Sequence, residues 1–172
     1  KLYNLNFDNK GILASKGKIN VKFLNLLLSD IYFKKNYPKS LDKNYFNHYL
    51  TPENISNINA NDLLTTLCEF TVKSIYHSII SLPTKPKTII YSGGGVKNLY
   101  LVKRLHDIIK IRSLNLNQHN FNTDFVESDL IAFLAARSLY KLPITFPQTT
   151  GIKKPLTGGI LYKPNYKNPL TF

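Results

Sequence analysis

The segment Ile89-Ile90-Tyr91-Ser92-Gly93-Gly94-Gly95-Val96-Lys97-Asn98 constrains this chain more than any other. Lys87 to Tyr91 is a short β-branched run that reads as a buried strand, and it leads straight into a glycine triplet. The triplet opens a helix carrying Leu101, Leu105 and Ile108. Three glycines at a strand end let bare backbone approach a ligand, because no side chain stands in the way. A helix N-terminus beside them adds amide donors and a partial positive charge. Nucleotides are the usual ligands of that geometry. A second reading stands beside it, a glycine-rich turn that serves only tight helix–strand packing. The segment is not a P-loop, since no Gly-Lys-Ser/Thr follows, and it lacks the spacing of a dinucleotide fingerprint.

Around this centre the chain alternates helical and strand-like patterns, an α/β arrangement read as one domain. Leu2 to Leu13 alternates apolar and polar residues and turns at Asp8-Asn9-Lys10-Gly11, a hairpin signal. Asn20 can cap a helix with Val21, Leu24, Leu27, Leu28 and Ile31 at helical spacing. Pro38 breaks the chain, a short helix is expected from Asp42 to Leu50, and Glu53 to Asn59 reads as a polar loop. The longest helix runs from Asp62 to about Ser81 with Leu63, Leu67, Phe70, Ser74, Ile75 and Ile79 on one face. Asn115 to Asn122 is a polar loop, and a last helix spans Asp124 to Tyr140 with Arg137 and Lys141 near its negative end. The tail from Pro143 is rich in Pro, Gly and Thr, with one strand expected near Gly159 to Tyr162.

Composition narrows the function classes. The chain has 172 residues, enough for one proper core, and 43% of them are apolar. No apolar run approaches the roughly 18 residues of a membrane span. There is no signal-peptide layout at Lys1-Leu2-Tyr3-Asn4, so the cytoplasm is the expected address. A chain that begins with Lys and contains no Met is expected to be a piece of something longer. The single cysteine, Cys68, excludes an internal disulfide and follows a helical apolar pattern, which makes it a small buried hydrophobe. The net charge of +13 raises nucleic acid and anionic membranes as partners. The excess is scattered lysine with only Arg104, Arg112 and Arg137 beside it, so neither nucleic acid nor membrane is expected. His48, His77, His106 and His119 have no metal-ligand spacing, no metal site is expected in the chain, and no Ser-His-Asp order is recognisable.

Ser92-Gly93-Gly94-Gly95-Val96-Lys97-Asn98 with Leu101 and Leu105 resembles the adenosine motif of the anhydro-N-acetylmuramic acid kinases, members of the sugar-kinase/actin-like ATPase superfamily. Four other segments resemble the family in the right order. They are Phe33 with Pro38-Lys39-Ser40 and Phe46-Asn47; Asp62, Thr66-Leu67, Glu69-Phe70-Thr71 and Ser74-Ile75; Val126-Glu127, Ala132-Phe133-Leu134-Ala135 and Arg137; and Pro143, Pro147, Thr150-Gly151 and Gly159-Ile160. At the start, Phe7-Asp8 to Gly11, Ala14 and Gly17 are similar to a family turn.

The resemblance implies an RNase H-like α/β lobe with extra helices over residues 1–172, one half of a two-lobed kinase. It implies ATP and Mg²⁺ as cofactors. It further implies a reaction in which water opens the 1,6-anhydro ring of anhydro-N-acetylmuramic acid while O6 takes the γ-phosphoryl group, a step in murein recycling. Ser92, Gly93, Gly94, Gly95, Lys97 and Asn98 are the implied nucleotide-binding residues. Glu127 matches a family Glu near the sugar, although Asp124 and Glu127 as a pair complementing the helix dipole is an equal reading. Lys39 and Ser40 line the substrate cleft or, as readily, anchor their own loop.

The family's catalytic Asp lies in a Phe-Asp-Thr-Gly-Pro-Gly-Asn segment that has no counterpart here, and Asp8 fits the turn that follows it. The activity of these residues alone is therefore in question, and a missing N-terminal half or a homodimer is the expected protein partner. Leu41-Asp42-Lys43-Asn44 stands where the family has Thr-Gly-Arg-Glu, Ser128 and Ile152 each replace Ala, and Asn120 replaces Gly. This drift keeps a second functional reading open, a non-catalytic nucleotide-binding remnant.

Overall fold

The computed structural model describes residues 6–42, 44–115 and 125–162. The expectations that fall on Leu2–Leu5, Lys43, His119, Asn120 and Asp124 lie outside them. The chain divides into two compact units, 1–126 and 127–172, and each is taken by itself.

In the first unit helices α1 (Val21–Leu28), α2 (Pro52–Ile55) and α3 (Ala60–Ile80) precede a β1–α4–β2 unit built from Thr88–Tyr91, Leu99–Ile109 and Arg112–Asn115. The strands pair in parallel, with Thr88 opposite Arg112 and Tyr91 opposite Asn115. Parallel pairing requires a crossover, and α4 supplies it. Mixed helix and parallel strand make the unit α/β, as its pattern predicts.

The long helix α3 is the spine, and two hydrophobic clusters of the described residues lie along it. Its N-terminal half contributes Leu63, Leu67 and Phe70 to a cluster with Phe23, Leu27, Phe46 and Tyr49. Its C-terminal half contributes Val72, Ile75 and Ile79 to a cluster with Leu105, Ile109 and Ile89. Among the described residues the buried polar side chains along the spine all have partners. Thr66 Oγ1 accepts the Asn20 amide at 2.9 Å and donates to the Asp62 carbonyl at 2.6 Å, and the Thr65 hydroxyl donates to Ala14 O. Asp62 accepts the Lys18 amide at 2.6 Å. The expected cap at Asn20 is in place, accepting from Phe23 N–H at 2.9 Å, and Asn59, read as the end of a loop, caps α3 by accepting from Asp62 N–H at 2.9 Å.

Several expectations are corrected. No hairpin forms at Asp8–Gly11 among the described residues. The Asp8 carboxylate accepts the Leu13 and Ala14 amides, both at 2.9 Å, and with Lys10 and Gly11 at positive φ the chain coils into two 3-10 turns, Asn9–Gly11 and Ala14–Lys16. In α1 the buried residues are Phe23, Leu24 and Leu27, while Val21 and Ile31 are exposed. The expected helix of 42–50 is a 3-10 turn, Tyr45–Tyr49. The polar loop after it contains α2, because Pro52 at the first helical position pre-sets φ. β1 is half-buried: Ile89 and Tyr91 pack on the second cluster, whereas Ile90 on the other face is 58% exposed. Among the described residues helices cover one face only, so the strand alternates instead of being buried on both sides.

The second unit holds α5 (Val126–Leu139) and the single turn α6 (Pro147–Thr150). Arg137 at the end of α5 donates to Pro143 O at 2.6 Å and lies over the Phe133 ring at 5.5 Å. The strand expected at Gly159–Tyr162 is absent. Leu156 pairs antiparallel with Thr145 instead, and Gly159 turns the backbone at φ +93° where its Cα faces Ser138. Among the described residues no helix is long and apolar enough to cross a membrane.

Candidate functional site

The glycine turn leaves the C-terminal end of β1 at Ser92, and its shape follows from one residue. Gly93 has φ +84° and ψ −178°, a region that only glycine occupies without strain. The chain then makes a 3-10 turn, Gly94–Lys97, in which Val96 N–H donates to Gly93 O and Asn98 N–H to Gly95 O. Val96 is buried and pins the turn from below. Asn98 closes it by accepting the Leu101 amide at 3.0 Å, which caps α4. The glycines thus open onto a 3-10 turn and an asparagine cap, not directly onto the helix as expected.

The two readings of the triplet make opposite steric demands. A packing role requires a neighbour where each Cβ would stand. At Gly93 and Gly94 no described atom lies within 4 Å of that point, and at Gly95 only a Leu101 methyl does, at 4.0 Å. Gly11 and Gly17 show what a packing glycine looks like. A Cβ at Gly11 would meet Asn98 Oδ1 at 2.1 Å, and one at Gly17 would meet Asn61 O at 2.3 Å. The triplet therefore presents backbone to open space, while Gly11 and Gly17 seat the N-terminal turns against α4 and α3. Beside the triplet lies a mostly apolar cavity of about 250 Å³, lined by Tyr91, Ser92, Gly95, Leu101 and Leu105 among others.

The turn is held from behind. Arg104 of α4 donates Nε to Glu69 Oε2 at 3.1 Å and Nη2 to Glu69 Oε1 at 3.3 Å, a bidentate clamp on α3. Glu69 is 3% exposed, so this ion pair fixes α4, and with it the cap at Asn98, against the spine. Sequence reasoning identified the glycines but missed this clamp and β2. Glu69 reads as part of a family-like helix segment that names no partner for it, and Arg112-Ser113-Leu114-Asn115 has too little β-branched character to stand out as a strand. Cys68 is buried next to Glu69, and burial pushes its thiol up to about 11, which leaves it unreactive as expected.

Lys39 and Ser40 stand apart from the turn. Lys39 packs on its own loop: Nζ donates to Tyr32 O at 3.2 Å and sits 4.6 Å above the Tyr32 ring. Ser40 beside it is exposed, and neither lines the cavity at the turn. Glu127 is in the first turn of α5, in the second unit. Among the described residues no group of three or more His, Cys, Asp or Glu is placed to hold a metal ion.

Comparison with known proteins gives one consistent result. A family model described as anhydro-N-acetylmuramic acid kinase matches residues 1–164. Proteins of that name from Zymomonas mobilis, Methylorubrum extorquens and Rhodopseudomonas palustris (strain CGA009) are 35%, 36% and 37% identical to the chain. Each alignment covers 92% of this chain and 41–42% of the relative. The chain therefore spans about two fifths of the length of the curated relatives it matches.

Proposed function

The chain belongs to the anhydro-N-acetylmuramic acid kinase family, and from that premise we propose that its 172 residues are one nucleotide-binding, RNase H-like lobe of such a kinase. The observation that carries the reading is the glycine triplet, whose Cβ positions meet nothing at Gly93 and Gly94. In this reading the backbone of Gly93, Gly94 and Gly95 lies against the adenosine and phosphate portion of ATP. Ser92 and Lys97 flank it, and Asn98 holds the turn through its cap on α4. Low side-chain bulk and the oriented amides of the turn and of α4 favour an anionic ligand here. ATP, when bound, supplies the γ-phosphoryl group.

The substrate in this reading is 1,6-anhydro-N-acetylmuramic acid in cytoplasmic murein recycling, with N-acetylmuramic acid 6-phosphate as product. Lys39 and Ser40 are the residues of the first unit proposed to face the sugar. Mg²⁺ typically keeps several waters and binds through phosphates with one or two carboxylates, so no dedicated cage of protein ligands is required for it. The base that activates water is the family's aspartate, which has no counterpart in these residues, so turnover requires further chain. A nucleotide-binding remnant without catalysis is the second reading, favoured by the drift at Leu41-Asp42-Lys43-Asn44.

Supplying the remaining part of a relative's chain decides between the two. Phosphosugar is expected only when both parts are mixed with ATP and the anhydro sugar. No product from the mixture, with the supplied part competent beside its own counterpart, would reduce the function to nucleotide binding.

A further inference from the structure

Asp30 is a buried carboxylate with no part in the site described so far. It follows α1, is 6% exposed, and gathers donors from both ends of one loop. At the near end it accepts the Tyr32 amide at 2.7 Å. At the far end it accepts the Tyr49 hydroxyl at 2.9 Å and the Tyr45 hydroxyl at 3.2 Å. Between those ends runs the segment that carries Lys39 and Ser40, and Lys39 is itself bonded to Tyr32 O at 3.2 Å. Phe33 and Phe46, from opposite ends of the loop, stack with centroids 6.0 Å apart beneath it.

We propose that Asp30 is a positioning residue, a clasp that closes the loop 32–49 at its base and so presents Lys39 and Ser40. Its action passes through Tyr32, which it fixes by the backbone and on which Lys39 rests by carbonyl and ring. The clasp needs a charged acceptor. One carboxylate takes three donors at once, whereas a neutral amide in its place offers one oxygen and brings two donors of its own. The functional part rests on the reading that Lys39 and Ser40 face the sugar, and the clasp itself does not.

The test compares wild-type chain with Asp30→Asn by site-resolved tryptic cleavage and by titration with the anhydro sugar and with ATP. In Asp30→Asn, cleavage after Lys34, Lys35 and Lys39 accelerates at least about tenfold, while cleavage after Lys73 in α3 and Lys103 in α4 is unchanged. Affinity for the sugar falls by a similar factor and affinity for ATP stays within about twofold, a split that general loosening of the fold would not produce. Loop cleavage no faster than wild type, or acceleration spread equally to Lys73 and Lys103, overturns the proposal. A released loop in a chain whose wild type binds no sugar supports the clasp and refutes the sugar-facing role of Lys39 and Ser40. If Asp30→Asn does not fold, Tyr49→Phe removes one donor, keeps the charge, and is read by the same cleavage pattern.

Discussion

Two glycines in the same chain answer opposite questions, and substitution separates them. Gly94 has a negative φ and free space beyond its Cα, so Gly94→Val leaves the fold intact, within about 1 kcal/mol by thermal unfolding. Gly17→Ala drives a methyl into the Asn61 carbonyl and costs about 1–3 kcal/mol by the same measurement, without touching the turn. Asp30 adds a pH dependence. Burial pushes its carboxyl up, but the Tyr32 amide, the Tyr49 and Tyr45 hydroxyls and nearby His48 outweigh this and hold it below the ordinary carboxylate value. A depressed carboxylate stabilises the fold above its unfolded pKa of about 3.9 and loses that contribution as pH falls through the lower folded value. Melts from about pH 7 down to pH 3 should therefore show the wild-type advantage over Asp30→Asn shrinking only below about pH 4.

At the scale of elements, α3 carries the packing and the Glu69–Arg104 pair carries the register of α4 on it. Leu27→Ala, beneath the first cluster, is expected to lower stability by about 2–5 kcal/mol in denaturant titration. Glu69→Gln is expected to cost about 1–3 kcal/mol, and hydrogen exchange in the first turn of α4 should accelerate with it, because the cap at Asn98 loses its backing. The elements written in long periodic patterns were legible: α1 from its Asn20 cap, α3 from its apolar spacing, α4 behind the glycines. Those set by tertiary partners were not. The Asp8 carboxylate turned an alternating stretch into two 3-10 turns, and β2 exists because β1 offers an edge, not because Arg112-Ser113-Leu114-Asn115 favours a strand. The strand misplaced at Gly159–Tyr162 fails for a similar reason, since the pairing is used up between Thr145 and Leu156. Of the site, the glycine turn was readable because glycine is required there by backbone geometry. The Asp30 clasp was not, because its partners come together only through the loop's fold.

For the whole molecule, family membership and the length of the relatives set the frame: about two fifths of each relative is matched here. In the part matched here, the open face of the glycine turn is the surface proposed to bind nucleotide. Calorimetric titration of the chain with ATP and Mg²⁺, wild type beside Gly94→Val at matched thermal stability, tests it most directly. Saturable binding by the wild type is expected, with a loss of at least about tenfold in the variant, since a valine side chain would occupy the space the ligand uses. Equal affinity in the two proteins would contradict it and return the triplet to the status of an ordinary turn.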